Sequence, residues 1–254
     1  EKVHGTDDFD GYWGIWDEKF LNYMGEVLSE QTEPFFSTMF TLTSHHPFVV
    51  PEEYEGKYPK GKTPNHQCVG YVDDAFRKFF AKHENDDWFR NTIFVFVADH
   101  VSSEKMTETF RRSPGDYHIF GFMYAPDSAL FGEHRQVVSQ IDIMPTLLGL
   151  MGNAEPYFAF GRDIFNEHAD VPFSVNYDNN AFQAITNDYL IRFDEKNTTG
   201  VYDIKDVMHE NNLVGKVPIE GVEQHLKALI QSYYSRVENK DYIVKDSISE
   251  DAGN

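Results

Sequence analysis

Apolar residues follow two periodicities along the first two thirds of this chain, and the texture changes after about Phe165. From Asp17 to Ser29, Phe20, Leu21, Tyr23, Met24, Val27 and Leu28 recur at helical spacing, which predicts a helix capped by Asp17, with Asp17 and Glu18 near the positive end of its dipole. Pro34 opens Phe35–Leu42, rich in aromatic and β-branched residues and apolar enough to predict a buried strand that ends in the loop Thr43-Ser44-His45-His46-Pro47-Phe48. Pro51 to Asn65 carries prolines, glycines and charges without a period and reads as a surface loop. Val69, Val72, Ala75, Phe76, Phe79 and Phe80 form a second amphipathic face, followed by a strand over Thr92–Ala98. Strand, crossover helix and strand together make the unit of a parallel sheet. Ser102 to Asp116 is polar, either an active-site loop or a disordered excursion, and His118–Ala125 reads as a further central strand stopped by Pro126. Ser139–Leu150 predicts a helix with Asp142 as N-cap, Pro145 in its first turn and Gly152 at its end.

After Phe165 short β runs alternate with turn residues: Phe173–Asp178, Ala181–Thr186, Tyr189–Asp194 and Gly200–Ile204 predict an antiparallel meander. A last helix carries Val222, Leu226, Leu229, Ile230 and Tyr233 on one face, before an acidic tail from about Asn239. The expected fold is α/β, a mostly parallel sheet flanked by helices, with a small C-terminal antiparallel β meander plus helix. Its expected divisions are an α/β part over 1–165, a β subdomain with the terminal helix over 166–238, and a polar tail over 239–254.

At 254 residues and 41% hydrophobic composition, the chain can fill one large α/β core, or a main domain with an appendage. Lys and Arg number 22 against 42 Asp and Glu, a net charge of −20 that repels nucleic acid and anionic headgroups. An anionic substrate would therefore need a local cation, such as a metal. The single cysteine, Cys68, excludes an internal disulfide framework and a cysteine zinc cluster. No run approaches a membrane span, and Glu1-Lys2-Val3-His4 is no signal peptide, so the chain as it stands reads as soluble.

Asp99-His100 puts two metal-ligand side chains where an apolar strand surfaces, the end at which open α/β sheets keep their chemistry. A carboxylate beside an imidazole suits Zn²⁺ or Mn²⁺, whereas an all-oxygen set suits Mg²⁺ or Ca²⁺. The same dipeptide also fits a helix cap beside a surface imidazole.

Seven segments occur in order: Gly14-Ile15-Trp16-Asp17-Glu18, Thr41-Leu42-Thr43-Ser44-His45-His46-Pro47-Phe48, Tyr71-Val72-Asp73-Asp74-Ala75, Ala98-Asp99-His100, Tyr124-Ala125-Pro126, Gln140-Ile141-Asp142-Ile143-Met144-Pro145-Thr146-Leu147-Leu148, and Phe160-Gly161-Arg162-Asp163-Ile164-Phe165. Their succession resembles the sulfatase-like branch of the alkaline phosphatase superfamily, most closely the lipoteichoic acid synthases and related phosphoglycerol transferases. The resemblance implies a metal-dependent transferase or ester hydrolase acting outside the cytoplasm on a phosphate or sulfate ester, such as a lipid headgroup or a glycan. It implies that Asp99 and His100 hold a divalent ion (Mn, Zn, Mg or Ca, with Mn or Zn favoured) and that His45 approaches the substrate phosphate. His118 stands where the family often shows His or Arg, which gives it a substrate-facing or a structural reading.

The departures matter as well. Val101-Ser102-Ser103 follow the Asp-His pair where the family usually has glycine at or soon after it, and no residue here matches the family's acidic ligand or its threonine nucleophile. Thr41 and Thr43 read as strand residues and Cys68 lies far from the nucleophile's position, so no catalytic nucleophile is assigned. The expectation is the C-terminal part of a longer, membrane-anchored enzyme, inactive alone, lying on the extracytoplasmic side. The alternatives are a sulfatase, or a binding module that keeps the fold without catalysis.

Overall fold

The computed structural model describes residues 8–127, 130–166 and 172–241. They fall into two compact units. One holds the described residues of Glu1–Ala98, Ser102–Glu104 and Phe120–Phe131, the other those of Asp99–Val101, Lys105–Ile119 and Gly132–Asn254.

In the first unit, α1 (Asp17–Ser29) packs along α2 (Asn65–His83), and the short α3 (Asp87–Arg90) closes their end. Leu21 and Leu28 of α1, Ala75 and Phe79 of α2, and Trp88 and Phe89 form one buried cluster; Val50, Cys68 and Tyr71 form another. The buried face of α2 is thus Cys68, Tyr71, Ala75, Phe79 and His83, rotated from the predicted face, and Val69 is exposed. Phe76 and Phe80 make ring contacts with Phe96, so α2 is covered on two sides and its apolar stripe is wider than one interface needs. Polar braces join the helices to the loop before α2. Lys78 Nζ and Tyr54 Oη both donate to Glu18 Oε2, at 2.7 and 2.6 Å, and Tyr58 Oη donates to Asp74 Oδ2 at 2.7 Å.

The sheet differs from expectation. β1 (Phe94–Val97) and β2 (Gly121–Tyr124) pair antiparallel, with Phe96 opposite Phe122. Phe35–Leu42 forms no strand: Phe35 and Met39 pack on the first cluster, while Phe36 and Phe40 stand 87% and 60% exposed. Sequence texture marks these runs as apolar. It carries no information about which neighbour supplies the backbone partners, and among the described residues none pairs with Phe35–Leu42.

In the second unit, after the one-turn α4 (Glu108–Arg111), a 3-10 turn at Gln140–Asp142 runs into α5 (Ile143–Leu150). The Asp142 carboxylate accepts from Ser139 N and from Arg162 N, both at 2.9 Å, so it ties the start of α5 to a later segment as well as acting within the turn. Gly161 is required there, since a Cβ would lie 2.1 Å from Ile141 O. Gly152, at φ +67°, follows the end of α5 as expected.

β3 (Ser174–Asp178), β4 (Ala181–Ile185), β5 (Tyr189–Phe193) and β6 (Thr198–Asp203) form the antiparallel meander in sequential order. Asn179 and Asn180 turn the first hairpin at φ 48° and 57°, the left-handed pair that a two-residue turn matched to strand twist demands. α6 (Glu220–Asn239) lays Val222, Leu226 and Ile230 over Ala184, Ile191, Phe193 and Val201, while Tyr233 is half exposed and outside that core. Apart from Asp241, the tail beyond α6 lies outside the described residues. Among the described residues no helix is long and apolar enough to cross a membrane.

Candidate functional site

Asp99 and His100 follow β1 in the chain through Ala98 and are solvent-exposed. Asp99 Oδ1 accepts the His100 backbone N–H at 2.9 Å, which leaves Oδ2 for other partners. His100 Nδ1 lies 2.7 Å from Val101 O. A carbonyl can only accept, so Nδ1 carries the proton and Nε2 of the neutral ring presents a lone pair. Nε2 and Asp99 Oδ2 stand 3.4 Å apart. Ligands at about 2.0–2.2 Å around a tetrahedral ion are separated by about 3.3–3.6 Å, so these two atoms fit one edge of such a site. Among the described residues no group of three or more His, Cys, Asp or Glu is arranged to hold a metal, and the pair is therefore a partial ligand set. The Asp99 carbonyl accepts from Gln140 Nε2 at 3.0 Å, which ties the pair to the turn before α5.

His45 lies in the first unit, on the loop after Phe35–Leu42. Its N–H donates to Leu42 O, its carbonyl accepts from Phe48 N, and its Nδ1 is 3.0 Å from His46 O, so again Nε2 of the neutral ring keeps its lone pair. The loop is anchored from α1. Asp17, expected as a helix cap, makes no capping bond; it is buried, and its two carboxylate oxygens accept from Leu42 N at 2.8 Å and Thr43 N at 3.1 Å. Thr43 Oγ1 accepts the Asp17 N–H at 3.3 Å in return. Burial pushes the Asp17 carboxyl above its ordinary range, partly countered by the two backbone donors. Asp17 is thus a loop anchor that periodicity could not reveal, although its place in Gly14–Glu18 had marked the segment. Periodicity does not reveal the bonds of Asp10 and Trp13 either. Asp10 Oδ1 accepts from Tyr12, Trp13 and Gly14 N–H, and Trp13 Nε1 donates to His46 O at 2.9 Å.

His118 belongs to the second unit, exposed, its ring stacked 6.3 Å from Phe110. Cys68 is fully buried and its thiol is pushed up to about 11 by burial, which opposes thiolate formation. Thr43 spends its hydroxyl on the Asp17 anchor.

The sulfatase family model matches residues 1–153. This chain belongs to the sulfatase family. Among its relatives are a lipoteichoic acid synthase-like protein of Bacillus subtilis, 27% identical over an alignment of 214 positions that covers 75% of this chain and 33% of that protein, and a lipoteichoic acid synthase of Staphylococcus aureus, 26% identical over 69% of this chain and 29% of that one. A crystal structure of an alkaline phosphatase superfamily protein from Vibrio parahaemolyticus superposes with a TM-score of 0.74 at 26% identity, covering 93% of this chain and 58% of its own. The sulfatase-type α/β fold is common to both. The chain spans about a third of the length of these curated relatives.

Proposed function

We propose that this chain supplies the Asp99–His100 metal ligands and the His45 substrate contact of a phosphoglycerol or phosphoryl-type transferase, or of an ester hydrolase, whose nucleophile lies elsewhere in a longer protein. The observation that carries the reading is the 3.4 Å separation of Asp99 Oδ2 and His100 Nε2, with Nδ1 committed to the Val101 carbonyl. A divalent ion bound there would supply positive charge to phosphoryl or sulfuryl oxygens. The chain's own groups have distinct tasks in this reading. The Val101 carbonyl fixes the His100 tautomer, and Asp99 contributes an anionic oxygen while its other oxygen stays on the backbone. His45 can take up or hand over a proton only at Nε2, because Nδ1 is held by His46 O. His118 is the second substrate-facing histidine in this reading.

Two further observations support an enzyme that extends beyond these residues. The matched segments cover only about a third of the relatives' own length. Phe36, Phe40, Phe120 and Phe122 of the first unit also leave large aromatic rings in water, a surface that suits the remaining strands and helices of a sulfatase-type domain. A boundary near residue 165, an extracytoplasmic setting and membrane attachment through another part of the protein belong to the same reading.

Calorimetric titration of the chain with Mn²⁺ or Zn²⁺ tests it. Weak saturable binding is expected, reduced at least about tenfold in both Asp99→Ala and His100→Ala. Equal binding by wild type and both variants, or none by any, would overturn it and favour the non-catalytic binding module. In the longer enzyme, activity on sulfate esters without activity on phosphate diesters would favour the sulfatase alternative.

A further inference from the structure

We infer that Trp13 is a positioning residue that locks the tautomer and orientation of His45, an inference whose functional weight rests on reading His45 as a substrate contact. Trp13 is 55% exposed, an uneconomical place for an indole unless its ring or its N–H has work to do. Its Nε1–H reaches across 33 residues of sequence to the carbonyl of His46 at 2.9 Å. That carbonyl is the acceptor that holds His45 Nδ1 at 3.0 Å, so one oxygen takes a proton from each ring and uses both lone pairs. The rings also meet edge to face, with centroids 4.6 Å apart. Trp13 is itself fixed: Asp10 Oδ1 accepts three consecutive N–H groups, and Phe9 bridges Ile15 to close the turn.

The chemical consequence concerns a single atom. A free neutral imidazole favours the proton on Nε2. Holding the His46 carbonyl against Nδ1 reverses that choice, so Nε2 keeps its lone pair, and a proton taken up there makes it a donor to an anionic oxygen. Without the indole, the carbonyl turns more freely to water and the imidazole loses both its acceptor geometry and its edge contact.

Long-range ¹H–¹⁵N spectra of the ¹⁵N-labelled chain, at a pH where His45 is neutral, read the tautomer directly. Wild type is expected to carry the proton on Nδ1 alone. Trp13→Ala is expected to shift His45 to mainly Nε2–H, and Trp13→Phe, which keeps a ring but no N–H, to a mixture. His45 staying on Nδ1–H in both variants, or showing Nε2–H in wild type, would overturn the inference. Should Trp13→Ala fail to fold, Trp13→Phe decides alone. Titration with inorganic phosphate, followed on the His45 ring signals, is expected to weaken about fivefold in Trp13→Ala, the equivalent of one hydrogen bond. A tautomer shift without phosphate binding in wild type would uphold the lock and remove His45 from the substrate contacts.

Discussion

Removing the Asp17 carboxylate should release the His45 loop without touching His45. In Asp17→Ala the N–H groups of Leu42 and Thr43 lose their acceptors, at 2.8 and 3.1 Å, and Thr43 is buried. Each stranded buried donor costs about 1–3 kcal/mol. Against this, the wild-type carboxylate is itself desolvated by burial, so its removal recovers part of that cost. The expected net loss is about 3 kcal/mol, equivalent to a local opening equilibrium about 150-fold larger. Asp17→Asn keeps one acceptor oxygen and turns an NH₂ toward the other donor, so a loss of about 1–2 kcal/mol is expected. Native-state hydrogen exchange at the Leu42 and Thr43 amides measures the opening directly. Urea unfolding followed by tryptophan fluorescence reports the first unit, which contains all three tryptophans, Trp13, Trp16 and Trp88. Unchanged protection at both amides, with a stability change under about 0.5 kcal/mol, would show that the carboxylate does not hold the loop.

Gly25→Ala sets helix propensity against packing. Propensity alone favours alanine by about 1 kcal/mol, but the new Cβ would lie 2.1 Å from His83 Nε2, whose ring is held by Phe79, Trp88 and Asp86; a net loss of about 2 kcal/mol in urea unfolding is expected, and a stabilised variant would refute the packing argument. Tyr58 and Arg77 hold the Asp74 carboxyl well below the usual carboxylate range. A depressed folded pKa gives stability that is present above the unfolded value of 3.8 and lost as pH falls through the folded one. The gap between wild type and Asp74→Asn should therefore be constant near neutrality and close below about pH 4, as measured by urea midpoints across pH. Cys68, buried with its thiol raised to about 11, should resist iodoacetamide at pH 8 in the native chain and react on unfolding; rapid native labelling would place it outside the core.

The sequence by itself determined the local elements wherever one periodic face meets one neighbour. The bounds of α1, the asparagine turn and strands of the meander, and the glycine stop after α5 follow from side-chain spacing and backbone freedom, which are properties of a few consecutive residues. It also presented Asp99 and His100 as chain neighbours, while the 3.4 Å approach of their ligand atoms depends on the backbone bend at these two residues. Tertiary structure decided the rest. The antiparallel pairing of β1 with β2 depends on backbone partners that apolar texture does not specify. The rotated core face of α2 depends on its being covered from two sides. The conversion of Asp17 from cap to loop anchor, and the reach of Trp13 to the His46 carbonyl, join residues 25 to 33 positions apart. Hydrogen bonds of that span are chosen by how packed elements meet, so no local pattern announces them.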